Sequence, residues 1–481
     1  MRIGISETNI TPAPGLLRAG MPHPQPGLGT AWPLMARVFI FDDGARRAAI
    51  IILDLLMLNP VTVAELRAAI APGTGLAAEN ILIACTHTHW APHTVAIMDE
   101  DADFTYLDFV RVRLVEAAAQ AVLALQPARI KAARIQTPGW AFNRRPIYRT
   151  PQGEQVGTQG PHWIEEFVGM EGPDDPELGI LLCEDMSGKP LGGLINFACH
   201  TTSGPDEPLY SSDYPGPLTE LLAARLGGIY GFLQGCAGNI WQTNMTRERN
   251  PVYQENGSAH TRRMGEALAE KALEAVSIAR LIEQDSVRVA ARVLRIPQRR
   301  PTREQVEMAK WFLENRPVGA DLQAHMLKIF GHPYTFYSDL NHIQESDIQG
   351  GISWQEDWFA RGLLGIWEQQ RRSGTRELVE AVEVQAIALG DSVVVAYPAE
   401  YFVEYGLKTK ALSPFPDTFV SELSNGWHGY IPTREAFAHG GYETRLGDAS
   451  RMGVDAGERI CETGVLLTRE LWKQIHSEQE E

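Results

Sequence analysis

The chain has 481 residues, 44% of them hydrophobic and 21% charged, and its 43 Lys and Arg against 60 Asp and Glu give a formal net charge of −17. That length holds one large domain or two, and the acidic balance argues against nucleic acid or an anionic membrane surface as a partner, since both reward positive charge. The 5 cysteines are odd in number, widely spaced and without a CxxC, which excludes a disulfide framework and reads as buried, reduced thiols.

No apolar run approaches the about 20 residues that span a bilayer. Met1-Arg2-Ile3-Gly4-Ile5-Ser6 lacks the charged-then-apolar pattern of a secretory signal, so a cytoplasmic protein without membrane insertion is expected. In chain order, residues 35–41 and 48–56 are apolar runs around an Asp43-Gly44 turn, a hairpin signal. Residues 60–71 have helical spacing and stop before Pro72-Gly73. Residues 81–85 read as a buried strand and 109–125 as a helix with Val110, Val115, Ala118, Ala119 and Val122 on one face. A strand at 130–135 is followed by a second hairpin, 178–183 and 191–199, then a helix at 217–226, a strand at 229–233, a helix at 261–279 and a strand at 287–296.

The stretch from about 301 to 376 changes character. It is polar, mainly helical in pattern and rich in aromatics, among them Trp311, Phe330, Tyr334, Trp354, Trp358 and Trp367. It is expected as a helical insertion that walls a pocket, covers solvent-facing core or serves a homo-oligomer interface. A third hairpin follows at 382–389 and 392–396, then a helix opening near Tyr397-Pro398-Ala399-Glu400 and running to Leu412, a strand at 418–423 and a last helix at 457–475. No internal sequence repeat is legible. Strand pairs interleaved with helices predict an α/β (α+β) fold, one large domain over 1–481 with mixed sheets sandwiched by helices.

The chemistry concentrates at strand ends. Ile81-Leu82-Ile83-Ala84-Cys85 runs into Thr86-His87-Thr88-His89-Trp90-Ala91-Pro92-His93. Residues two apart on an extended chain face one side, so His87 and His89 are expected to share a pocket. Imidazole is a common ligand for zinc-like metals and also a general base; by itself the pair is equally compatible with ordinary strand-end histidines. His200 and Glu400 have the same placement, as does the loop from Asn425 to Tyr430. Two histidines and a glutamate suit a catalytic zinc, which takes three or four N/O ligands and leaves a position open. Thr86, Asn239 and Asp213 are candidates to orient those ligands, and Asp54 is either a site carboxylate or a satisfied structural acid. GxxxxGK[ST], GxGxxG after a strand, GxSxG and HExxH are all absent.

Taken together, Thr86-His87-Thr88-His89, Asn143-Arg144-Arg145-Pro146, Phe197-Ala198-Cys199-His200-Thr201-Thr202-Ser203, Ala237-Gly238-Asn239, Pro398-Ala399-Glu400 and Gly429-Tyr430-Ile431-Pro432-Thr433-Arg434-Glu435 with the later Tyr442 resemble the catalytic domain of the neutral/alkaline (non-lysosomal) ceramidase family. The resemblance spans about residues 1 to 450. It implies that family's fold, a Zn2+ cofactor and cleavage of an N-acyl amide. Carried over by position, it implies metal ligands His87, His200, Glu400 and Tyr430, with His89, Arg144 and Tyr442 around the substrate carbonyl. His89 and Tyr442 would steady a tetrahedral oxyanion formed by attack of water.

The chain departs from the family pattern at Trp90-Ala91-Pro92-His93, where a small-residue run is usual, and at Gly238-Asn239-Ile240-Trp241, and no C-terminal β-sandwich domain is expected after the Tyr442 region. The reading is therefore a zinc-dependent hydrolase acting on an amide of a small, soluble molecule. A zinc-dependent ester, lactone or carbohydrate-type hydrolase is the alternative on the same site, and a non-catalytic binding protein the alternative of another class.

Overall fold

The computed structural model describes residues 1–20, 24–98, 100–150, 153–156, 167–244, 256–315, 328, 348–349, 352–374 and 378–477. In chain order its main elements are β1 (Arg2–Asn9), β2 (Met35–Asp42), β3 (Arg47–Leu53), α1 (Pro60–Thr74), β4 (Ile81–Cys85), α2 (Phe104–Leu123), β5 (Gln126–Gln136), β6 (Glu177–Asp185) and β7 (Pro190–Phe197). There follow α3 (Pro215–Leu226), β8 (Ile229–Gln234), α4 (Ser258–Ser277), β9 (Val287–Pro297), α5 (Arg303–Asn315), α6 (Trp354–Arg372), β10 (Val379–Leu389), β11 (Ser392–Ala396), α7 (Val403–Leu412), β12 (Asp417–Ser421) and α8 (Ala456–Ser477).

The three expected hairpins form: β2 with β3, β6 with β7, and β10 with β11, each antiparallel. Each then sends a helix across to a strand that joins its second arm in parallel, as a parallel pair requires. Thus α1 leads to β4, α3 to β8 and α7 to β12. The topology repeats although no residue pattern does, because only the alternation of apolar runs and turns is needed to specify it.

Two sheets result. The larger has the order β8-β7-β6-β5-β1-β2-β3-β4, with Arg280–Leu281 added beside β5; the smaller is β9-β10-β11-β12. They pack face to face. Phe39, Ile50, Ile52, Leu181 and Leu194 of the larger sheet meet Ile387, Val394 and Phe419 of the smaller. On β3 the alternate residues Ala49, Ile51 and Leu53 turn outward against α1 and α2, so an all-apolar strand is explained by burial on both faces. The helices α3 and α4 cover β6 to β8, and α7 and α8 cover the outer face of the smaller sheet. The layer order is helix, sheet, sheet, helix.

Several boundaries differ from the sequence expectation. Helix α1 does not stop before Pro72-Gly73 as expected but passes through Pro72 to Thr74 and is capped by Gly75, whose φ of 66° is left-handed. Helix α2 begins earlier, at Phe104, because the Asp103 side chain accepts from the Tyr106 amide. Glu400 does not open a helix: Glu400–Tyr401 is extended and pairs in parallel with Tyr430–Ile431, and α7 starts at Val403. The N-terminal strand β1, which no strong pattern announces, lies between β5 and β2 in the middle of the larger sheet. Within residues 301–376 the described parts are α5, α6 and the short pair Ile348–Gln349 with Ile352–Ser353; Phe330 and Tyr334 lie outside the described residues. All five cysteines are buried and free. Among the described residues no helix is long and apolar enough to cross a membrane.

The interface between the sheets carries one tight contact. Phe419 of β12 stands against Gly179 of β6, where a Cβ would come within 2.5 Å of the phenyl ring. Phe419→Ala is expected to destabilise the fold by about 3–5 kcal/mol in urea denaturation, since the closely packed sheets cannot collapse onto the void. A loss below about 1 kcal/mol would show that the interface repacks freely.

Candidate metal centre at the converging strand ends

The chain past β4 turns sharply rather than continuing as a strand. His87 has a φ of 67°, a left-handed conformation unfavourable for a residue with a Cβ. It is held by two backbone bonds, Thr86 N–H to Leu53 O and His87 N–H to Leu55 O, each 3.0 Å. The simple alternation expected for His87 and His89 therefore does not apply, yet the turn still brings their rings together, with centroids 4.9 Å apart. His200 arrives just past β7, its ring centroid 4.5 Å from that of His87. Glu400 lies just past β11, directly opposite Tyr430 in the short parallel pair.

The proton positions follow from the anchors. Nδ1 of His87 meets Leu56 O at 3.1 Å, Nδ1 of His89 meets Gly20 O at 2.9 Å, and Nδ1 of His200 meets Ala237 O at 2.7 Å. A carbonyl oxygen only accepts, so each Nδ1 carries a proton and each ring turns its Nε2 inward. None of the three Nε2 atoms has a hydrogen-bond partner among the described residues. The ligand atoms of the three rings all lie within 4.8 Å of one another, so they can hold a metal ion. Glu400 Oε2, also without a hydrogen-bond donor, is 3.4 Å from Nε2 of both His87 and His200. Burial, Arg144 and His87 lower the pKa of His200 to about 4, and burial with the neighbouring imidazoles depresses His89 as well. Neutral rings with inward lone pairs beside a carboxylate are a donor set that suits a divalent cation such as zinc.

The remaining expected residues adjoin this cluster. The Arg144 guanidinium stands 5.6 Å from the centre of the Tyr430 ring, held by Glu443 Oε1 at 2.9 Å and Gly238 O at 2.8 Å. Burial and the adjacent Glu400 push the Tyr430 phenol well above its ordinary range, with Arg144 pulling the other way. The Tyr442 ring meets Tyr430 edge-on at 5.7 Å. Its other neighbours are Phe359 at 5.5 Å and Trp358 at 6.3 Å, both on α6, so the 301–376 stretch contributes a wall beside Tyr442. His87, His89, Arg144, His200, Glu400, Tyr430 and Tyr442 thus form one contiguous site.

Other candidates have different work. Asp213 makes no hydrogen bond to the donor set; it accepts from Trp90 Nε1 at 2.9 Å, Ser203 Oγ at 2.5 Å and the Gly204 amide at 2.8 Å, and so fixes the Trp90 loop. Asn239 accepts from the Val403 amide at 2.8 Å and caps α7 behind Glu400. Thr86 contributes its main-chain oxygen, which accepts from Thr201 Oγ1 at 2.9 Å. Asp54 is paired through Oδ2 with Arg37 at 2.9 Å and with the Met35 amide at 2.9 Å, while its Oδ1 has no hydrogen-bond partner among the described residues. His93 is no part of the metal-capable group.

Two important residues carried no separate signal in the sequence. Trp427 donates its indole N–H to Glu400 Oε1 at 2.9 Å, leaving Oε2 to face the histidines. Glu443 is fully buried and receives both Arg144 and Arg145, the latter at 2.5 Å. Trp427 lies in the loop flagged as a strand end, and Glu443 follows Tyr442, but neither residue type names its role.

No protein-family model matches the chain, and no curated protein matches its sequence. Solved structures do. The crystal structure of neutral ceramidase from Pseudomonas aeruginosa superposes with a TM-score of 0.68 and 18% identity, covering 98% of this chain and 75% of that one. A ceramidase complexed with C2 gives 0.67 and 18% over the same shares. The chain has a neutral ceramidase-like fold.

Trp427→Phe keeps the ring and removes the donor to Glu400. If the cluster takes up a divalent metal, the substitution is expected to weaken its binding by about 10–100-fold in competition with a chelator, with the thermal melting point little changed. Undiminished affinity would mean that Glu400 is oriented without the indole.

Proposed function

We propose that the protein is a zinc-dependent hydrolase that cleaves an amide bond in a small substrate. The observation that carries this reading is the meeting of three inward-facing imidazoles, those of His87, His89 and His200, with Glu400 Oε2 3.4 Å from Nε2 of two of them, His87 and His200. The ceramidase-like fold supports the amide as the scissile bond, and the net charge of −17 favours a soluble substrate over an anionic lipid surface.

His87, His200 and Glu400 would hold the ion, with Tyr430 as fourth donor. The choice of His87 and His200 over His89 rests on the shared 3.4 Å approach of Glu400 to both and on the partial exposure of His89, which leaves it facing the substrate side. When bound, such an ion supplies Lewis acidity, lowering the pKa of water and polarising a carbonyl.

The chain's own residues supply the rest. His89, its tautomer set by Gly20 O, offers Nε2 to accept a proton from the attacking water and return it to the leaving amine. Tyr442 presents a phenol O–H to the oxygen on which negative charge develops; burial and Glu400 raise its pKa, so it stays a donor. Arg144 fixes the Tyr430 hydroxyl, and Glu443 in turn fixes Arg144. The wall of Trp358 and Phe359 excludes water behind Tyr442.

Elemental analysis of the purified protein is expected to find zinc, removable with a chelator together with hydrolysis of N-acyl substrates and restored on adding zinc. His200→Ala is expected to lose more than nine-tenths of that zinc and all measurable turnover; activity that survives the substitution refutes the donor assignment. Tyr442→Phe should keep its zinc and lose about 10²–10³-fold in kcat. Ester and lactone panels run beside the amides give the bond its identity, and esters or lactones cleaved with no amide turnover would sink the amide reading.

A further inference from the structure

Beside the donor cluster lies a buried cation that nothing neutralises. Arg18 is only 6% exposed. Its Nε reaches Gln25 O at 3.3 Å and its guanidinium carbon stands 5.3 Å from the centre of the Trp90 ring, and no carboxylate among the described residues pairs with it. Other buried arginines are provided for. Arg37 has Asp54, Arg67 has Glu383, and Arg144 and Arg145 share Glu443. Half-buried Arg299, with no acid paired to it among the described residues, donates to Thr444 O, Ser450 O and Ser450 Oγ at 2.6–2.8 Å. A guanidinium has five N–H donors, and removing its charge from water without a counter-charge is costly.

Its position connects it to the site. The segment from Arg18 to Gly20 runs along the histidine loop: Arg18 bridges to Pro92, the Ala19 amide donates to Ala91 O at 2.8 Å, and Gly20 O holds His89 Nδ1 at 2.9 Å. The platform under Arg18 is rigid. Trp90 is tied to Asp213, and its indole lies on the backbone of Gly204, where a Cβ would stand 1.7 Å from the ring. A cation over an aromatic face keeps the edge of its planar fork available, and that fork matches the paired oxygens of a carboxylate or phosphate.

We propose that Arg18, carried on Trp90, recognises an oxyanion on the substrate, so that the substrate class is N-acyl compounds with a carboxylate or phosphate close to the scissile amide. The word substrate rests on the amide-hydrolase reading above; the anion site rests on the surroundings of Arg18 alone.

The test is binding by the full chain as purified, at matched zinc content, of N-acetylglycine and of inorganic phosphate, followed by calorimetry and by tryptophan fluorescence. At least one probe is expected to saturate, and Arg18→Gln to weaken it tenfold or more, with Arg18→Lys between the two. Preference for N-acetylglycine identifies the carboxylate class and preference for phosphate the phosphate class. Binding of neither probe, or equal affinity in Arg18→Gln, overturns the proposal. Arg18→Met guards against a merely structural role. Without anion its melting temperature is expected to match or exceed that of the native chain, and the anion-induced rise should vanish; a lower melting temperature with the rise retained also overturns it. Because binding needs no turnover, a chain that binds the probe through Arg18 and hydrolyses no amide refutes the amide reading and leaves this site standing.

Discussion

Three imidazole Nε2 atoms and a carboxylate oxygen 3.4 Å from two of them meet at the centre of this molecule, and none has a hydrogen-bond donor among the described residues. Nε2 of His87, His89 and His200 and Oε2 of Glu400 are all without hydrogen-bond partners. An unpaired buried polar atom costs about 1–3 kcal/mol, so four together are a large unfavourable term unless a cation collects them. The tautomers cannot rearrange to relieve it, because each Nδ1–H is committed to a main-chain carbonyl on a separate segment: Leu56, Gly20 and Ala237. Rotating or re-protonating any ring breaks a bond that is already buried. The backbone therefore dictates the side-chain chemistry, and that rigidity distinguishes a preorganised donor set from histidines that happen to be neighbours.

The recurring hairpin, crossover helix and parallel strand explain how distant segments meet. Each unit leaves two chain ends on one side of its sheet: Asp54 and His87 in the first, His200 and Asn239 in the second, Glu400 and Tyr430 in the third. The third unit is clamped to the first by Asn425, whose Oδ1 accepts from the Ile83 amide at 3.0 Å and whose Nδ2 reaches Gln385 at 2.8 Å. Alongside it the Cys85 amide donates to Leu423 O at 3.1 Å. Leu423 and Asn425 adopt left-handed φ angles of 51° and 66°, as His87 does at 67°, so backbone strain gathers where strand ends are bent toward the donors. Asp54 holds the place in the first unit that His200 and Glu400 hold in theirs, but Arg37 neutralises it and removes it from the chemistry.

Much of this was legible in the residues. The hairpins show as apolar runs around turn residues, and a polar ligand type at the end of a buried run singles out His87, His200 and Glu400, whereas Tyr430 as a ligand is implied only by the family resemblance. Illegible features depend on pairings remote in sequence. Strand β1 has too little apolar alternation to announce itself; it is a strand because β2 and β5 flank it. The extended conformation of Glu400 comes from its pairing with Tyr430 and from Asn239 capping α7 two residues past the Glu400–Tyr401 pair. Asp213 looked like an orienting acid because type and proximity suggest that role, whereas its four donors belong to the Trp90 loop and its own turn. Trp427 acts through its bond to Glu400 and Glu443 through its pairs with Arg144 and Arg145, and no spacing encodes such bonds.

The same distinction accounts for a fold kept at 18% identity. The donors are oriented by carbonyl oxygens, which every residue carries, so strands can exchange most of their side chains and still present the same Nε2 atoms. The surroundings of the donors are different in kind. Trp90 on Gly204, Arg18 over Trp90, and Trp358 and Phe359 against Tyr442 are contacts between particular side chains. Replacing one of them changes the shape or charge of the approach to His89 without disturbing the sheets beneath. The fold fixes where the donors meet, and the particular side chains of the rim shape the approach to them.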